Sequence, residues 1–502
     1  MELQSTLIVI MILYFAGILF WGFYQGKKVK SGADFSIAGR KLPGWVAALS
    51  ERATGESSWA LLGLPGAAYA TGLVEVWTAI GCVAGILVAW IFLAGRLRDE
   101  AAKYQAVTFT DFLAKRHGEV GRWIRISGSL TIVFFFFFYV GAQFIGGGKT
   151  LNNLFGIDQD WAMLLVVLLV IPYTIYGGFR SVTYTDVIQA ILMIVTLIVA
   201  PIAGIVYLRS NTDKELFANS MSEALEKAGT TYSSLTEGLE ISPLAPLLGD
   251  SLNTLSGLAT GIVIAGAFSW FFGYLGGQPQ LSTRFMAIKS KKDARIARNI
   301  GVIWTLIAYA GALCVGYIGL AIFGPQGLTD QETVMPSVLT TVFPPIISGI
   351  LITGVLAAII STANSLLILS ATEFSENLMP ASKSSKEGKL RSSRIITGVM
   401  SIIALAVAYW SPSDLIYTIV SFVWAGIGST FSVVIVLTLF WKKYHGKAAL
   451  YTIIAGVVFT LIWMGSGWDQ VITSRLMTFL VALITGILTA FIIPKKQSKH
   501  NE

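Results

Sequence analysis

The stretch ALSERATGESSWALLGLPGAAY, residues 48–69, carries three charges inside a segment that otherwise has the composition of a membrane span. Glu51, Arg52 and Glu56 lie within six residues of one another. A charge at the centre of a lipid-exposed helix costs about 2.5–3.5 kcal/mol on insertion scales, so three unpaired charges would cost about 8–10 kcal/mol. The protein must therefore neutralise these charges by pairing them, or it must need them for its function.

The composition of the whole chain indicates its class. Of the 502 residues, 54% are hydrophobic and only 13% are charged, whereas about 25% of the residues in a typical soluble protein are charged. Apolar segments of spanning length recur about thirteen times, the first of them at the N-terminus. The sequence therefore predicts an all-α polytopic membrane protein, and the N-terminal segment is interpreted as a retained span.

The rarer residues argue against several functions. Both cysteines, Cys82 and Cys314, lie in apolar stretches, and the three histidines lack a metal-binding spacing. The basic residues behind the net charge of +8 lie in short loops between spans, which argues against a nucleic-acid partner. We therefore expect neither an enzyme nor a cofactor, and no metal other than a transported ion.

The loops also predict the topology. Loops rich in lysine and arginine alternate with loops that have few, which places the N-terminus outside, the C-terminus in the cytoplasm and an odd number of spans between them. The longest loop, residues 209–252, is predominantly acidic and is expected to be extracellular. Its segment ELFANSMSEALEKAG could form a short amphipathic helix. We expect a multi-pass protein of the plasma membrane, surrounded by lipid.

Two predicted spans are interrupted by polar or helix-breaking residues. The second contains SERATGESSW, and the seventh contains GAFSWFFGYLGGQPQLSTRF, in which Gly276, Gly277 and Pro279 break the helix. These two spans lie five spans apart, so the seventh span enters the membrane from the side opposite to the second. This pattern is typical of transporters with inverted repeats, whose broken helices form a site at the midplane. The alternative is that these residues only kink the helices.

A third polar cluster, GVLAAIISTANSLLILS, lies in the ninth span. Ser361, Thr362, Asn364 and Ser365 fall within about one helical turn, and Ser361 and Ser365 share a face. Hydroxyl and carbonyl oxygens are suitable ligands for a small cation such as sodium. The alternative is hydrogen bonding between helices, which small polar residues often provide.

These segments, together with YGGFRSVTYTDVIQA and GQPQLSTRFMA, resemble in their order the sodium/solute symporter family, and within it the sodium/proline symporter group. The resemblance covers nearly the full length. It implies a single transmembrane domain over residues 1–500 with thirteen helices: a LeuT-type five-plus-five inverted repeat, one extra N-terminal helix and two extra C-terminal helices. The repeats would span about 42–208 and 253–440, separated by the outer loop.

The resemblance also implies an activity. The protein would couple inward sodium flow to the uptake of a small zwitterionic amino acid, with L-proline as the leading substrate. The alternatives are sodium-coupled uptake of another small amino or carboxylic acid, or a different class of protein, a solute sensor or a passive channel.

Site residues follow from the resemblance by position. The sodium ligands would be the carbonyl groups of Ala53, Glu56 and Ala358 and the hydroxyl groups of Ser361 and Thr362. A second sodium, present in some relatives, would involve Asp186, Ser361, Asn364 and Ser365, where Asn364 departs from the usual serine; Asp186 could instead cap a helix end. The substrate pocket would draw on Ser57, Trp59, Tyr139, Trp270, Tyr274 and Gln278, although each aromatic residue could simply pack between helices.

The opening stretch departs from the proline group, which usually reads SAGASDMSGW at this point. Gly55 replaces an aspartate and Glu56 a methionine, while Glu51 and Arg52 replace small residues. Arg52 and Glu56 are spaced i, i+4 and could pair. Alternatively, Glu56 faces the cavity and binds a substrate amine, a cation or a proton. These four substitutions weaken the prediction of proline as substrate more than the prediction of sodium as coupling ion, since backbone carbonyl groups can bind sodium whatever side chain their residue carries.

Overall fold

The computed structural model describes residues 2–29, 32–211, 215–236, 265–379, 386–470 and 472–493. In these ranges the regular elements are helices, joined by turns and by one isolated β-bridge between Leu42 and Ile288. Ten of the described helices are long and apolar enough to cross a membrane. The all-α polytopic class is therefore confirmed.

The helices are numbered in chain order. The first eleven are α1 (Glu2–Gly26), α2 (Gly32–Ile37), α3 (Gly44–Ser58), α4 (Leu64–Thr71), α5 (Glu75–Val88), α6 (Ala94–Lys103), α7 (Phe109–Arg116), α8 (Gly121–Phe155), α9 (Gln159–Ser210), α10 (Met221–Ala228) and α11 (Thr230–Ser233). The others are α12 (Trp270–Tyr274), α13 (Pro279–Ala287), α14 (Lys291–Phe323), α15 (Val334–Val342), α16 (Pro345–Glu373), α17 (Lys386–Tyr409), α18 (Ile416–Val423), α19 (Thr430–Phe440), α20 (Gly446–Gly465) and α21 (Ser474–Ile492).

The number of spans differs from the number of helices. The helical run Gly44–Lys103 has 60 residues, about three times the length that one crossing needs, and it is interrupted at Gly72, where φ is 74°. The helix α9 has 52 residues and is broken at Gly178 (φ 56°). The seventh predicted span begins near residue 255, and its first part, up to residue 264, lies outside the described residues. The predicted count of thirteen spans, like the predicted repeat boundaries, therefore stays a prediction.

The first predicted interruption lies at Ser57, where φ is 51° and ψ is −168°. A non-glycine residue in this conformation costs about 1–3 kcal/mol, so the surrounding structure must hold it there. A π-helical turn, Trp59–Gly63, then leads into α4. The backbone N–H of Ser58 donates to Gln143 Oε1 of α8 at 3.1 Å, which satisfies one donor released by the break.

The second interruption separates α12 from α13. The linker between them contains Gly276, whose φ is 78°, and Pro279 begins α13, where its missing N–H is no loss. The two broken helices are in contact, since the ring of Trp59, just after the first break, stacks on that of Trp270, at the start of α12, with centroids 3.9 Å apart. Both interruptions lie where the sequence predicts them.

The surface and the interior have opposite polarity. Large apolar side chains of the outer helices are exposed, with Leu13, Phe20 and Ile402 at 68%, 74% and 67%. Polar side chains are buried around α3, which packs between α9, α14 and α16. This pattern fits a bundle whose outside faces lipid. In the long loop after α9, the predicted amphipathic helix is present as α10. Ala218 N–H, just before it, donates to Ala321 O of α14 at 2.9 Å.

Candidate functional site

The three charges of α3 form one buried cluster. Arg52 lies between two carboxylates: its Nη1 is 2.8 Å from Glu56 Oε1, and its Nε is 2.5 Å from Glu51 Oε2. None of the three side chains is more than 1% exposed. Thr305 Oγ1 accepts from Arg52 Nη1 at 3.1 Å, and Trp90 Nε1 donates to Glu51 Oε2 at 3.1 Å. The ion pair suggested by the i, i+4 spacing is present.

The pairing leaves part of the cluster unsatisfied. Two carboxylates face one guanidinium, and Glu56 Oε2 is buried with no hydrogen-bond partner among the described residues. A buried acceptor of this kind costs about 1–3 kcal/mol unless a ligand satisfies it. Pairing with Arg52 and binding a cavity ligand are therefore compatible, because each uses a different oxygen of Glu56.

Gly55 and Arg52 depend on each other sterically. A Cβ atom built on Gly55 would lie 3.2 Å from Arg52 Nη2 and 3.2 Å from Leu281 Cδ2, closer than ordinary van der Waals contact. An aspartate at this position would need still more room. The glycine thus makes space for the guanidinium, which links two of the departures from the proline group.

The break at Ser57 frees backbone carbonyls for other partners. In a helix the carbonyl of residue i accepts from the N–H of residue i+4, and the dihedral angles of Ser57 redirect the N–H groups from residue 58 onward, so the break releases the carbonyls of residues 54–56. The Ser361 hydroxyl of α16 lies 2.9 Å from Ala53 O and 3.1 Å from Ala358 O. The Thr362 hydroxyl donates to Thr54 O at 3.1 Å. The arrangement brings hydroxyl and carbonyl oxygens of α3 and α16 together.

The predicted sodium ligands are not all equivalent in this arrangement. Ala53, Ala358 and Ser361 are in direct contact, and Thr362 contacts the neighbouring carbonyl of Thr54 instead. The carbonyl of Glu56 accepts a hydrogen bond from Trp59 N–H within the break. The carbonyl oxygens of Ala53 and Ala358 and the hydroxyl oxygens of Ser361 and Thr362 thus form a set of uncharged oxygens. Glu56 O differs from them, because it already accepts the hydrogen bond from Trp59 N–H.

Two of the residues predicted for a second sodium, Asp186 and Ser365, contact an arginine that the sequence analysis missed. Arg284 Nη2 of α13 is 3.2 Å from Asp186 Oδ2 and also bonds Ser365 Oγ. Asp186 lies inside α9, so the alternative of a helix-end cap does not describe its position. Asn364 Oδ1 accepts from the hydroxyl of Thr174, which lies before the break in α9. Thr54 Oγ1 is 3.0 Å from Ser365 Oγ and links this group to the break.

The predicted pocket residues form an aromatic cluster, which we define as Trp59, Tyr139, Trp270, Tyr274 and Trp424. The ring of Trp424 lies 5.4 Å from Tyr139, 5.8 Å from Trp270 and 5.3 Å from Tyr274, measured between centroids. All five side chains are at most 2% exposed. The sequence analysis did not predict Trp424 as a pocket residue. Trp424 begins the π-helical turn WAGIGS between α18 and α19, and the two glycines of this turn are the only feature of the sequence that points to it.

Polar groups at the aromatic cluster lack partners. The indole N–H groups of Trp59, Trp270 and Trp424 make no hydrogen bond to the described residues, nor does Nε2 of Gln278. The Tyr139 hydroxyl donates to Ser57 Oγ at 3.1 Å, which ties the cluster to the break in α3. Buried donors beside flat apolar rings can bind a small molecule that has an anionic end and an apolar body.

Comparison with known proteins establishes the family. The profile of the sodium:solute symporter family matches residues 35–456. The chain belongs to this family. It is 33% identical over 475 residues to the high-affinity proline transporter PutP of Bacillus subtilis, which covers 93% of this chain and 94% of that protein. It is 31% identical over 507 residues to sodium/proline symporter 2 of Staphylococcus saprophyticus, which covers 98% and 93% respectively.

Solved structures confirm the fold. A Na+-coupled sialic acid symporter in a substrate-bound outward-open state aligns with a TM-score of 0.74 at 19% identity, over 98% of this chain and 99% of that chain. Mhp1, a nucleobase-cation-symport-1 family transporter in a closed conformation, aligns with a TM-score of 0.53 at 15% identity, over 92% and 94%. The LeuT-type architecture is thus confirmed. This family member is a sodium-coupled solute transporter of the plasma membrane and not an enzyme.

Proposed function

We propose that the protein imports L-proline with sodium, by alternating access around the break in α3. Two relatives that align with almost the whole chain are named as proline transporters. The observation that carries the proposal is the contact of Ser361 and Thr362 with the carbonyl groups of Ala53 and Thr54, at a break whose Ser57 also contacts the aromatic cluster. Candidate ion ligands and the aromatic cluster thereby meet at one short segment of α3.

The proposed sodium site uses the oxygens of α3 and α16. Its ligands are the carbonyl groups of Ala53, Glu56 and Ala358 and the hydroxyl groups of Ser361 and Thr362. A hydroxyl that now donates to a carbonyl can rotate and present its lone pairs to a cation, so Ser361 and its two carbonyl partners need little rearrangement. Uncharged oxygens suit sodium and add no buried charge when the ion leaves.

The proposed substrate site uses the aromatic cluster with Ser57 and Gln278. Trp59 and Trp270 stack face to face at 3.9 Å, so this pair offers its ring edges, together with the ring of Tyr274, to the pyrrolidine ring of proline. The unpartnered indole N–H groups are donors for the carboxylate. Glu56 Oε2 is the acceptor for the substrate ammonium. The ammonium gives this oxygen the hydrogen-bond partner that it lacks, and it adds a second positive charge to a cluster of two carboxylates and one guanidinium.

The orientation and surroundings follow from the sequence. We place the N-terminus outside and the C-terminus in the cytoplasm, with the repeats over about 42–208 and 253–440 and the loop 209–252 outside. Lipid covers the exposed apolar side chains of the outer helices, and nucleic acid is not a partner.

The sodium gradient can drive this uptake. One sodium ion that crosses about 100 mV releases roughly 2.3 kcal/mol, and a tenfold concentration gradient adds about 1.4 kcal/mol. Together these could concentrate a neutral zwitterion about 500-fold, since each 1.4 kcal/mol is a factor of ten.

Proteoliposomes test the proposal. Uptake of labelled L-proline is measured with an inward sodium gradient and, in matched vesicles, with potassium in place of sodium. The proposal expects accumulation only with sodium. Uptake in both cases would indicate a passive channel. If the protein is folded but proline is not taken up, L-proline is not its substrate, and sodium-dependent thermal stabilisation by other small amino and carboxylic acids would identify the right one.

A further inference from the structure

We propose that a basic groove between α6 and α14 binds one anionic phospholipid through its phosphate group. The groove is defined by five basic side chains that line one cavity: Arg96, Arg98, Lys291, Arg295 and Arg298. This site is separate from the break in α3, and the inference does not depend on which substrate the protein transports.

Two helices each contribute one face to the groove. Lys291, Arg295 and Arg298 of α14 have the spacing i, i+4, i+7, so their side chains leave the helix on one side. On α6, Arg96 lines the same cavity beside Gly95, where a Cβ atom would meet nothing within 4 Å. The cavity measures about 440 Å³. This volume falls within the range of about 300–1,000 Å³ that is usual for sites that bind small molecules.

The groove holds more positive charge than its own residues neutralise. Asp99 is the one acidic side chain in the lining of the cavity, against five basic ones. Asp99 pairs with Arg98, and its Oδ2 lies 3.6 Å from Lys291 Nζ on the opposite helix. The other three basic side chains of the groove form no ion pair in the part of the chain that the structure describes. All three are arginines, whose N–H donors match the oxygen atoms of a phosphate group.

The surroundings of the groove favour a lipid over a soluble phosphate compound. Ile91 and Phe92 line the same cavity and are exposed on the outside of the bundle, and Ile303 is exposed further along α14. An acyl chain can cover these side chains while the phosphate group of the same molecule stays at the arginines. The topology proposed above places this end of α6 and α14 at the cytoplasmic face, where anionic lipids bind basic pockets between helices.

Trp90 connects the groove with the charged cluster of α3. Its ring lines the cavity, and its Nε1 donates to Glu51 Oε2 at 3.1 Å. A Cβ atom on Gly301 of α14 would lie 2.7 Å from Trp90 Nε1, so the ring packs closely against α14. A lipid that bridges α6 and α14 therefore also holds the ring that contacts Glu51. Binding of the lipid should accordingly raise the thermal stability of the protein.

Native mass spectrometry of the purified protein tests the inference. Phosphatidylglycerol and phosphatidylcholine with the same acyl chains are added to separate samples in detergent. We expect one phosphatidylglycerol per chain to stay bound at collision energies that remove phosphatidylcholine, and equal retention of the two lipids overturns the inference. Glycerol phosphate is the third sample, because it carries the phosphate group without acyl chains. If it is retained as well as phosphatidylglycerol, the groove binds a soluble phosphate compound and the lipid is the wrong ligand.

Variants test whether the lipid lies in the groove. Arg295→Gln/Arg298→Gln removes two of the unpaired charges and should lower the affinity for phosphatidylglycerol about 25-fold, since each basic side chain near an anionic surface contributes a factor of about five. The affinity is measured from the rise in the midpoint of thermal unfolding during a titration with this lipid. Arg122→Gln/Arg391→Gln is the matched control, because it removes two exposed arginines elsewhere, and its affinity should stay within twofold of the wild type.

Equal losses of affinity in the two double variants contradict the inference, because the lipid would then respond only to the overall charge of the protein. If Arg295→Gln/Arg298→Gln does not fold, the comparison of phosphatidylglycerol with phosphatidylcholine on the wild type decides.

Discussion

Ser361→Ala should weaken sodium binding strongly while leaving the fold intact. The hydroxyl of Ser361 lies 2.9 Å from Ala53 O and 3.1 Å from Ala358 O, so it joins α3 to α16 at the break. As the hydroxyl has one proton, its removal costs one shared hydrogen bond, about 0.5–1.5 kcal/mol of stability. A hydrogen bond to a charged group contributes about 1.5–3 kcal/mol, and we take this range for a hydroxyl–sodium contact.

That range corresponds to an increase of about 10- to 150-fold in the sodium concentration for half-maximal transport, since 1.4 kcal/mol is a factor of ten. The assay is proline uptake into proteoliposomes over a range of sodium concentrations, with ionic strength held constant by choline. Thr353→Ala is the matched control: this buried hydroxyl of the same helix bonds only its own helix, to Ile350 O at 2.6 Å. A half-saturating sodium concentration for Ser361→Ala within twofold of the control would refute the proposed sodium site.

Three further substitutions test the cluster and the pocket. Arg52→Ala leaves two buried carboxylates without their cation and should destabilise the protein by about 3–5 kcal/mol, seen as a lower midpoint of thermal unfolding in detergent; an unchanged midpoint would contradict the pairing. Gly55→Ala should lower the same midpoint, at a cost in stability of no more than about 1 kcal/mol, because overpacking against the side-chain ends of Arg52 and Leu281 is partly offset by the better helix propensity of alanine, and a midpoint above that of the wild type would show that the neighbours give way freely. Trp424→Ala removes the ring shared by the aromatic cluster and should raise the half-saturating proline concentration at least tenfold without changing that of sodium; equal effects on both would indicate general damage to the bundle.

The sequence predicts the backbone of the site better than its contacts. Gly276 and Pro279 indicate the second break directly, because they favour or require backbone conformations that end a helix. The cluster of hydroxyl groups near Ser361 likewise predicts that α16 meets a polar partner. These features are visible because they act within a few residues of chain.

The residues that the sequence analysis missed depend on distant parts of the chain. Arg284 looks like an ordinary basic residue near the end of a span until α13 places it beside Asp186, 98 residues away. Trp424 is one tryptophan among fourteen, and its role appears only when α8 and α12 bring Tyr139 and Trp270 to it. The steric relation between Gly55 and Arg52 cannot be predicted from the sequence, because it depends on the direction in which a Cβ atom on residue 55 would point in the folded protein.

The charges in α3 also account for where that helix breaks. The Arg52–Glu56 pair has the i, i+4 spacing, which holds only while the backbone is helical from residue 52 to residue 56. If the helix unwound one residue earlier, Glu56 would leave Arg52, and two buried carboxylates would lose part of their compensation. The break follows at Ser57, and with the break at this position the carbonyl of Thr54 is the first to lose its helical partner, because Ser58 N–H donates to Gln143 Oε1. The charged pair and the break are thus adjacent in α3, and the first carbonyl oxygen that the break releases, Thr54 O, is the one that accepts from the Thr362 hydroxyl.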